Sequence, residues 1–401
     1  VNILLYTDDD KSFGLAHRLV LEGHQVEVFM PTSPSCVSER TGDGLWKFIN
    51  SAKEGIKNCQ FIIADCFMAN DIFNFAKMFN KPVVGWHPLT GLLNSSAVKE
   101  FEAALACDCS YPYTQVFDDA TDTGELILGW DADNYYIKHD RRVIDLAHSE
   151  WLTWAMYNLP YGEPVLIQEQ VKGIEVSVIG WFDGLDWRKP FLVCNSDSQR
   201  LGASILWRDT EERLSQFTIA PLRSFLKTIG YHGPVKCNLI VCDDFSYVSK
   251  IRIGITYPDI YAFAEGLKGN LGDFLWSMAI GRETNVPYTD MYSVAFEVNV
   301  QEADMDGAPL TGVEDANLRH SVLHNIYKDG DSYFLASGFS RSYTAMARGE
   351  AVEVATGRAY RTIQLLTFPC MGFPSNMRFH FSMLSERVKS AMVQQVKNGR
   401  L

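Results

Sequence analysis

Nowhere does the 401-residue sequence hold an apolar run near the roughly 20 residues that a membrane-spanning helix requires, so no bilayer segment is expected. CxxC, HxH and HExxH are all missing, and with them the ligand spacing of a zinc site. There is no GxSxG elbow, no Walker loop, no internal repeat and no low-complexity tract. Basic charge is short. Lys and Arg number 36 against 49 Asp and Glu, the formal net charge is -13, and no dense Lys/Arg run occurs. Duplex DNA would repel such a chain, so nucleic acid is not an expected partner, whereas a small phosphorylated ligand is compatible. The opening VNILLYTDDD has neither the basic start nor the apolar stretch of a signal peptide and reads as a strand entering a polar turn. The nine cysteines form only one close pair, Cys107 and Cys109, while Cys237 and Cys242 flank an expected strand. Reduced, buried thiols in a cytoplasmic protein are the expectation.

What is present is ordinary globular material in quantity. Hydrophobic residues make up 47% and charged residues 21%, and the length suffices for two or three domains. The first segment alternates strands with helices. Strands are expected at Ile3 to Tyr6, Gln25 to Met30, Phe61 to Ala64 and Val83 to Gly85. Helices are expected at Phe13 to Glu22, stopped by Gly23, and at Asp71 to Phe79. This rhythm implies a small parallel sheet with helices on both faces.

Beyond Gly91 the pattern changes. A helix over Ser95 to Ala106, capped by Ser95 or Ser96, precedes strands at Tyr113 to Phe117, Leu126 to Leu128 and Tyr135 to Lys138. A longer helix is expected over Val143 to Tyr157, then strands at Val165 to Gln170 and Glu175 to Phe182, turning at Asp183-Gly184. A helix over Thr210 to Ile229 stops at Gly230, and a hairpin joins Val235–Val241 to Tyr247–Ile255. A helix over Asn270 to Ile280 follows. From Tyr292 the chain reads mostly as strands with glycine turns, closed by a helix over Ser382 to Val396.

The stretch Val165 to Gly184, VLIQEQVKGIEVSVIGWFDG, resembles the ATP-grasp motif Glu-Glu-Phe-Leu-x-Gly-Glu-Glu-Ala-Ser. Glu169 matches the second acid, Val171 the apolar position, and Gly173, Glu175 and Ser177 the turn and next strand; Gln168 replaces the first acid. Other matches follow in order and resemble glycinamide ribonucleotide synthetases. YYIKHD, Tyr135 to Asp140, keeps Lys138 of a Val-Val-Lys-Ala-Asp strand, and NSDSQRLG keeps Asp197, Arg200 and Gly202 of a Ser-Gln-Asp-His-Lys-Arg-x-Gly segment. Lys81 to Val98 keeps Gly85 and Ser96, and Tyr231 to Asp259 keeps Tyr231, Gly233 and Pro258. The resemblance implies an α/β, ATP-grasp fold in three parts: an N-terminal parallel α/β domain at 1–90, a lid and central nucleotide-binding domain at 91–285, and a mostly β C-terminal domain at 286–401. It also implies ATP or another nucleotide as ligand, with Lys138, Gln168, Glu169, Val171 and Glu175 at the nucleotide and Asp197 and Arg200 at the substrate.

Three departures bear on the chemistry. ATP-grasp ligases phosphorylate a carboxylate beside a triphosphate, with magnesium neutralising the charge. The family's Glu and Asn anchors for that metal are matched here by Lys250 and Arg252 of KIRIGITYPD, so no magnesium is expected on that strand. Lys250, Arg252 and Gly254 share one strand face and the alternating isoleucines the other. The two cations either bind phosphate directly or lie on a solvated face. Second, Lys138 is followed by HDRRVIDLAH in place of a glycine-rich phosphate loop, leaving Arg141 and Arg142 as phosphate contacts or as exposed charge. Third, Asp8, Asp9 and Asp10 stand where the family turns around a sugar phosphate, which fits a cationic or neutral substrate or no ligand at all.

Two further patterns are weaker. Glu297 and Asn299 copy the metal-strand spacing further along, and His320 and His324 are four apart in a stretch that reads as helix. Three readings result: a divergent protein that binds a nucleotide or phosphate ligand with altered or lost ligase activity; an active carboxylate–amine ligase on an unusual acceptor; or a scaffold contacting a protein partner or a second copy, for which nine Trp and 24 Phe supply apolar surface.

Overall fold

The computed structural model describes residues 1–32, 37–118, 135–139, 142–145, 164–197, 202–282 and 285–398. The chain starts as a parallel sheet of strands β1 (Asn2–Tyr6), β2 (Gln25–Phe29), β3 (Lys47–Phe48), β4 (Phe61–Ala64) and β5 (Val83–Val84), in the order β3-β2-β1-β4-β5. Helices α1 (Phe13–Leu21), α2 (Ala52–Asn58) and α3 (Asn70–Met78) connect them. β1 is apolar on every residue after Asn2 because both faces are covered. Ile3 and Leu5 enter one core with Phe13 and Leu19, whereas Leu4 and Tyr6 enter another with Ile56 and Phe73. Ser51 caps α2 through the Glu54 N–H.

Helices α4 (Pro88–Ser95) and α5 (Ala97–Ala106) lead into a four-stranded sheet, order β6-β9-β7-β8, of β6 (Thr114–Phe117), β7 (Tyr135–His139), β8 (Arg142–Asp145) and β9 (Val165–Glu169). The helix expected from Val143 does not begin there, since Arg142–Asp145 extends alongside β7. The rest of that helix, and the strand at Leu126 to Leu128, lie outside the described residues.

Next come β10 (Ile174–Asp183), β11 (Trp187–Asp197), β12 (Ala203–Arg208), α6 (Arg223–Ile229), β13 (His232–Val241), β14 (Ser246–Ile253), α7 (Asp259–Gly266) and α8 (Leu271–Ala279). The final part holds β15 (Tyr292–Val300), β16 (Pro309–Leu310), α9 (Asp315–Leu318), β17 (Ser321–Leu323), β18 (Ile326–Asp329), β19 (Ser332–Leu335), β20 (Arg341–Gly349), α10 (Val352–Leu365), β21 (Met371–Gly372) and α11 (Met377–Lys397). One sheet runs through both parts in the order β14-β13-β10-β11-β12-β15-β20-β17, with β21 beside β15. The mixture of a small parallel sheet with this large antiparallel one bears out the α/β expectation.

Two expected helices differ. Thr210 to Ile229 is broken into single turns at Thr210–Glu212 and Ala220–Leu222 before α6 begins. Pro221 has no N–H for a continuous helix, and the Asp209 carboxylate takes the Ser215 N–H instead. His320 and His324 do not share a helix, because α9 ends at Leu318 and β17 intervenes.

Glycine fixes how the first sheet meets the large one. Gly85 has φ +100°, and a Cβ there would stand 2.4 Å from the Ala64 carbonyl oxygen. A Cβ on Gly233 would come 2.8 Å from the Gly85 nitrogen, which donates to the His232 carbonyl. Backbones meet here at a distance that no side chain allows.

Candidate functional site

The site grows from the exposed edge of a sheet. β14 ends the large sheet, so its outward N–H and C=O groups need partners. Side chains from across the cleft supply them. The Ile253 N–H donates to Asn94 Oδ1 at 3.1 Å, and Asn94 Nδ2 returns a bond to the Ile253 carbonyl at 2.8 Å. The Ile251 N–H donates to Glu100 Oε1 at 2.6 Å. The Ser249 carbonyl accepts from Lys138 Nζ at 2.7 Å. Ser249 is the extra residue of a bulge, since Lys250 faces Asn238 while Val248 faces Leu239.

Between this edge, the four-stranded sheet and α5 lies a cavity of about 390 Å³, within the range of ligand sites. Six of the sequence-selected residues line it together: Lys138, Gln168, Glu169, Val171, Glu175 and Lys250. Its apolar lining residues include Leu166, Val171, Val176, Leu239 and Ile240, with Leu166 opposite Lys138 in the register of β7 and β9. The Gln168 carboxamide is buried and donates to Thr114 Oγ1 at 3.1 Å, and the Glu169 N–H donates to the Tyr113 carbonyl. Its polar and charged lining residues include Ser177, Asn195, Asn238, Glu169, Glu175, Lys138, Lys250 and Glu100, the last three gathered at one end.

The charged end is electrically tense. Burial pushes the Glu100 carboxyl above the usual carboxylate range, against the Ile251 N–H, the Tyr111 hydroxyl and the two lysines. Burial pulls the Lys138 ammonium down to about 8; Glu100 opposes the shift and Lys250 adds to it. Sequence reasoning passed over Glu100. It lies on the apolar face of α5, three and four residues from Ala97 and Ala104, and a carboxylate in that position was the available signal.

The remaining selected residues lie elsewhere or beyond description. Arg252 shares the Lys250 face but is exposed and outside the cavity lining. Asp197 ends β11 and its side chain is not described; Arg200 and Arg141 lie outside the described residues, as does the Arg142 side chain. Glu297 is buried and receives the Arg341 guanidinium at 3.3 Å. Asp10 takes the same guanidinium at 2.7 Å and Asp9 lies 4.0 Å from it, so Arg341 faces three carboxylates, two of them in the acidic turn.

Beside the cavity residue Ser196, a second cluster is buried. Lys236 Nζ meets Asp259 Oδ2 at 2.7 Å and Ser196 Oγ at 2.6 Å. Asp259 also accepts from the Ser204 and Thr256 hydroxyls, each at 2.7 Å, and from the Cys194 thiol at 3.2 Å. Burial opposes the charge on Asp259, but Lys236 and these donors prevail and hold its pKa down to about 2.

The cavity combines apolar side chains with two lysines, and so suits a ligand that carries both a flat apolar group and an anion. The Glu100 oxygen at the strand edge already accepts from Ile251 and Tyr111. Among the described residues no group of three or more His, Cys, Asp or Glu side chains could hold a metal ion. The eight described cysteines are free, and no described helix is long and apolar enough to cross a membrane.

No family model matches the chain, and no curated protein matches it in sequence. Solved structures do match its fold. Phosphoribosylamine–glycine ligase from Thermotoga maritima aligns with a TM-score of 0.69 at 14% identity, over 93% of this chain and 99% of that one. N5-carboxyaminoimidazole ribonucleotide synthetase from the same organism gives 0.60 at 14%, over 92% and 99%. The biotin carboxylase domain of Hydrogenobacter thermophilus 2-oxoglutarate carboxylase, solved with MgADP, ADP and bicarbonate, gives 0.64 at 10%, over 92% and 91%. All three are ATP-grasp enzymes, and the chain described here has their fold.

Proposed function

We propose that this chain is a divergent, ligase-like ATP-grasp protein that binds a nucleotide or related phosphate ligand in the cavity without magnesium, its ligase activity altered or lost. One observation carries the reading. Lys250 lines the charged end of the cavity, on the strand where the resemblance expects a metal-holding acid. A fixed ammonium there takes over charge neutralisation and excludes the cation by repulsion. Lys138 is the second cation, with N–H groups beyond the one given to Ser249. The base packs against the apolar side chains of Val171 and Ile240, and the backbone after Gln168 fixes its edge.

Thermal denaturation with ATP or ADP tests this. Ligand at 100 times Kd stabilises the native state by about 2.7 kcal/mol, and the rise in Tm is expected to be the same in EDTA as in excess magnesium. A rise only with magnesium means an active ligase instead, for which Glu169 and Glu175 remain in the cavity. No rise with either nucleotide removes the reading.

The pH dependence has a definite sign. Lys138 is charged in the free protein below about 8 and neutral above it. A bound phosphate favours the charged form, so affinity is expected to fall as pH rises past about 8, with the midpoint in the complex shifted upward. Titration calorimetry from pH 7 to pH 9.5 checks this, and Lys138→Arg, which stays protonated, is expected to flatten the profile.

A further inference from the structure

A groove of about 700 Å³ lies away from the nucleotide cavity and shares no lining residue with it. It opens between the end of α1, the turn after α7, the residues following α9 and the end of β20. Arg18, Lys268, Arg319 and Arg348 line it, with His320 among them. The acids facing them are Glu22, Glu265 and Asp315.

Two of those acids are already engaged. Glu22 holds Arg18 at 2.8 Å and accepts the Gly272 N–H at 3.0 Å. Glu265, buried beneath the groove, holds His320 Nδ1 at 3.0 Å. Among the lining acids Asp315 is left against Lys268, Arg319 and Arg348, none of which has a carboxylate within 4.0 Å among the described residues, and outside the lining Asp290 acts on Lys268 at longer range. All three are exposed at the rim of a concave surface, so their charge is directed at one volume. The excess is local, on a chain whose net charge is -13.

The His320–Glu265 pair adds orientation. Binding Nδ1 to a buried carboxylate fixes the ring and leaves Nε2 as its free nitrogen. The walls are fixed too. The Arg18 guanidinium donates to the Arg319 carbonyl, the Arg348 guanidinium to the Glu265 carbonyl, and the Met346 N–H to the His320 carbonyl. Three unspent cations, an oriented imidazole and a groove of ligand size together form a receptor for concentrated negative charge. Phosphate groups supply that, with close to two charges each and oxygens that match a guanidinium fork.

We infer that this groove is a second ligand site, for a small anion carrying two or more phosphate groups, held by Lys268, Arg319, Arg348 and His320. The inference is independent of the nucleotide reading.

Inorganic pyrophosphate is the probe, titrated calorimetrically into the full chain carrying Lys138→Ala and Lys250→Ala, which disables the nucleotide cavity. One saturable event is expected. Adding Arg319→Ala and Arg348→Ala is expected to weaken it about tenfold or more, with Tm little changed because both side chains are exposed. Lys268→Glu alone gives a second readout in the same direction. No binding in the cavity-disabled chain, or binding unmoved by the groove substitutions, overturns the inference.

Discussion

Replacing Lys138 and Lys250 together by alanine is expected to weaken magnesium-free nucleotide binding by about a hundredfold. A charge-assisted hydrogen bond to phosphate contributes about 1.5–3 kcal/mol, and about 1.4 kcal/mol is a factor of ten. Two such bonds at the lower figure give about 3 kcal/mol. Lys138 also closes the Ser249 carbonyl at the edge of β14, so part of its loss reads out as stability. Arg252→Ala separates the alternatives left open by the sequence. Arg252 is exposed and outside the cavity lining, so its removal is expected to change affinity less than twofold, a ratio within reach of calorimetry. An equal loss from Arg252→Ala would mean that the phosphates sit along the outer face of the strand, not within the cavity.

The largest effect on stability is expected from Asp259→Ala. Lys236 and Asp259 are 7% and 2% exposed, so the substitution strands an ammonium in the interior. Removing one partner of a buried pair costs about 3–5 kcal/mol, mostly the desolvation of the charge left behind. Urea unfolding should show the midpoint falling with an unchanged slope. Adding Lys236→Met removes the stranded charge and is expected to recover most of the loss, although the Ser204, Thr256 and Ser196 hydroxyls then lose their partners. The pair also sets a limit in acid. The Asp259 pKa is depressed, so its contribution is complete above the ordinary carboxylate range and disappears as pH falls toward about 2. A double variant no more stable than Asp259→Ala alone would show that the carboxylate acts through its hydroxyl donors and not through Lys236.

The sequence was readable where local signals and tertiary needs agree. Gly230 ends α6 in the left-handed region at φ +65°, as expected from residue type, and the helix expected from Asn270 begins one residue later, with Asn270 capping it through the Asp273 N–H. The β13–β14 hairpin and the strands β9 and β10 fell within three residues of their observed ends. α7 was missed because it is buried on every side, so its sequence, DIYAFAEG, has no polar stripe to reveal a helical period. α10 does carry the period, with Val352, Ala355, Ala359 and Ile363 buried, but Gly349 and Gly357 read as turns and drew the segment toward strands. At the cavity, Lys138, Gln168, Glu169, Val171, Glu175 and Lys250 came from matching motifs in register. What no register could show was that Lys138, Glu100 and Asn94 satisfy the edge of β14. That depends on where three separate elements meet in space. Lys236 was hidden in the same way: within the strand HGPVKCNLIV it is one cation among apolar neighbours until α7 brings Asp259 to it.

The central claim is that a fixed ammonium does the work of a metal in this cavity. A crystal soaked with ATP and manganese, with diffraction recorded where manganese scatters anomalously, tests it most directly. The account predicts phosphate density against Lys250 and Lys138 with no anomalous peak beside it. A manganese ion bridging those phosphates, held by Glu100 or Glu175, would contradict it.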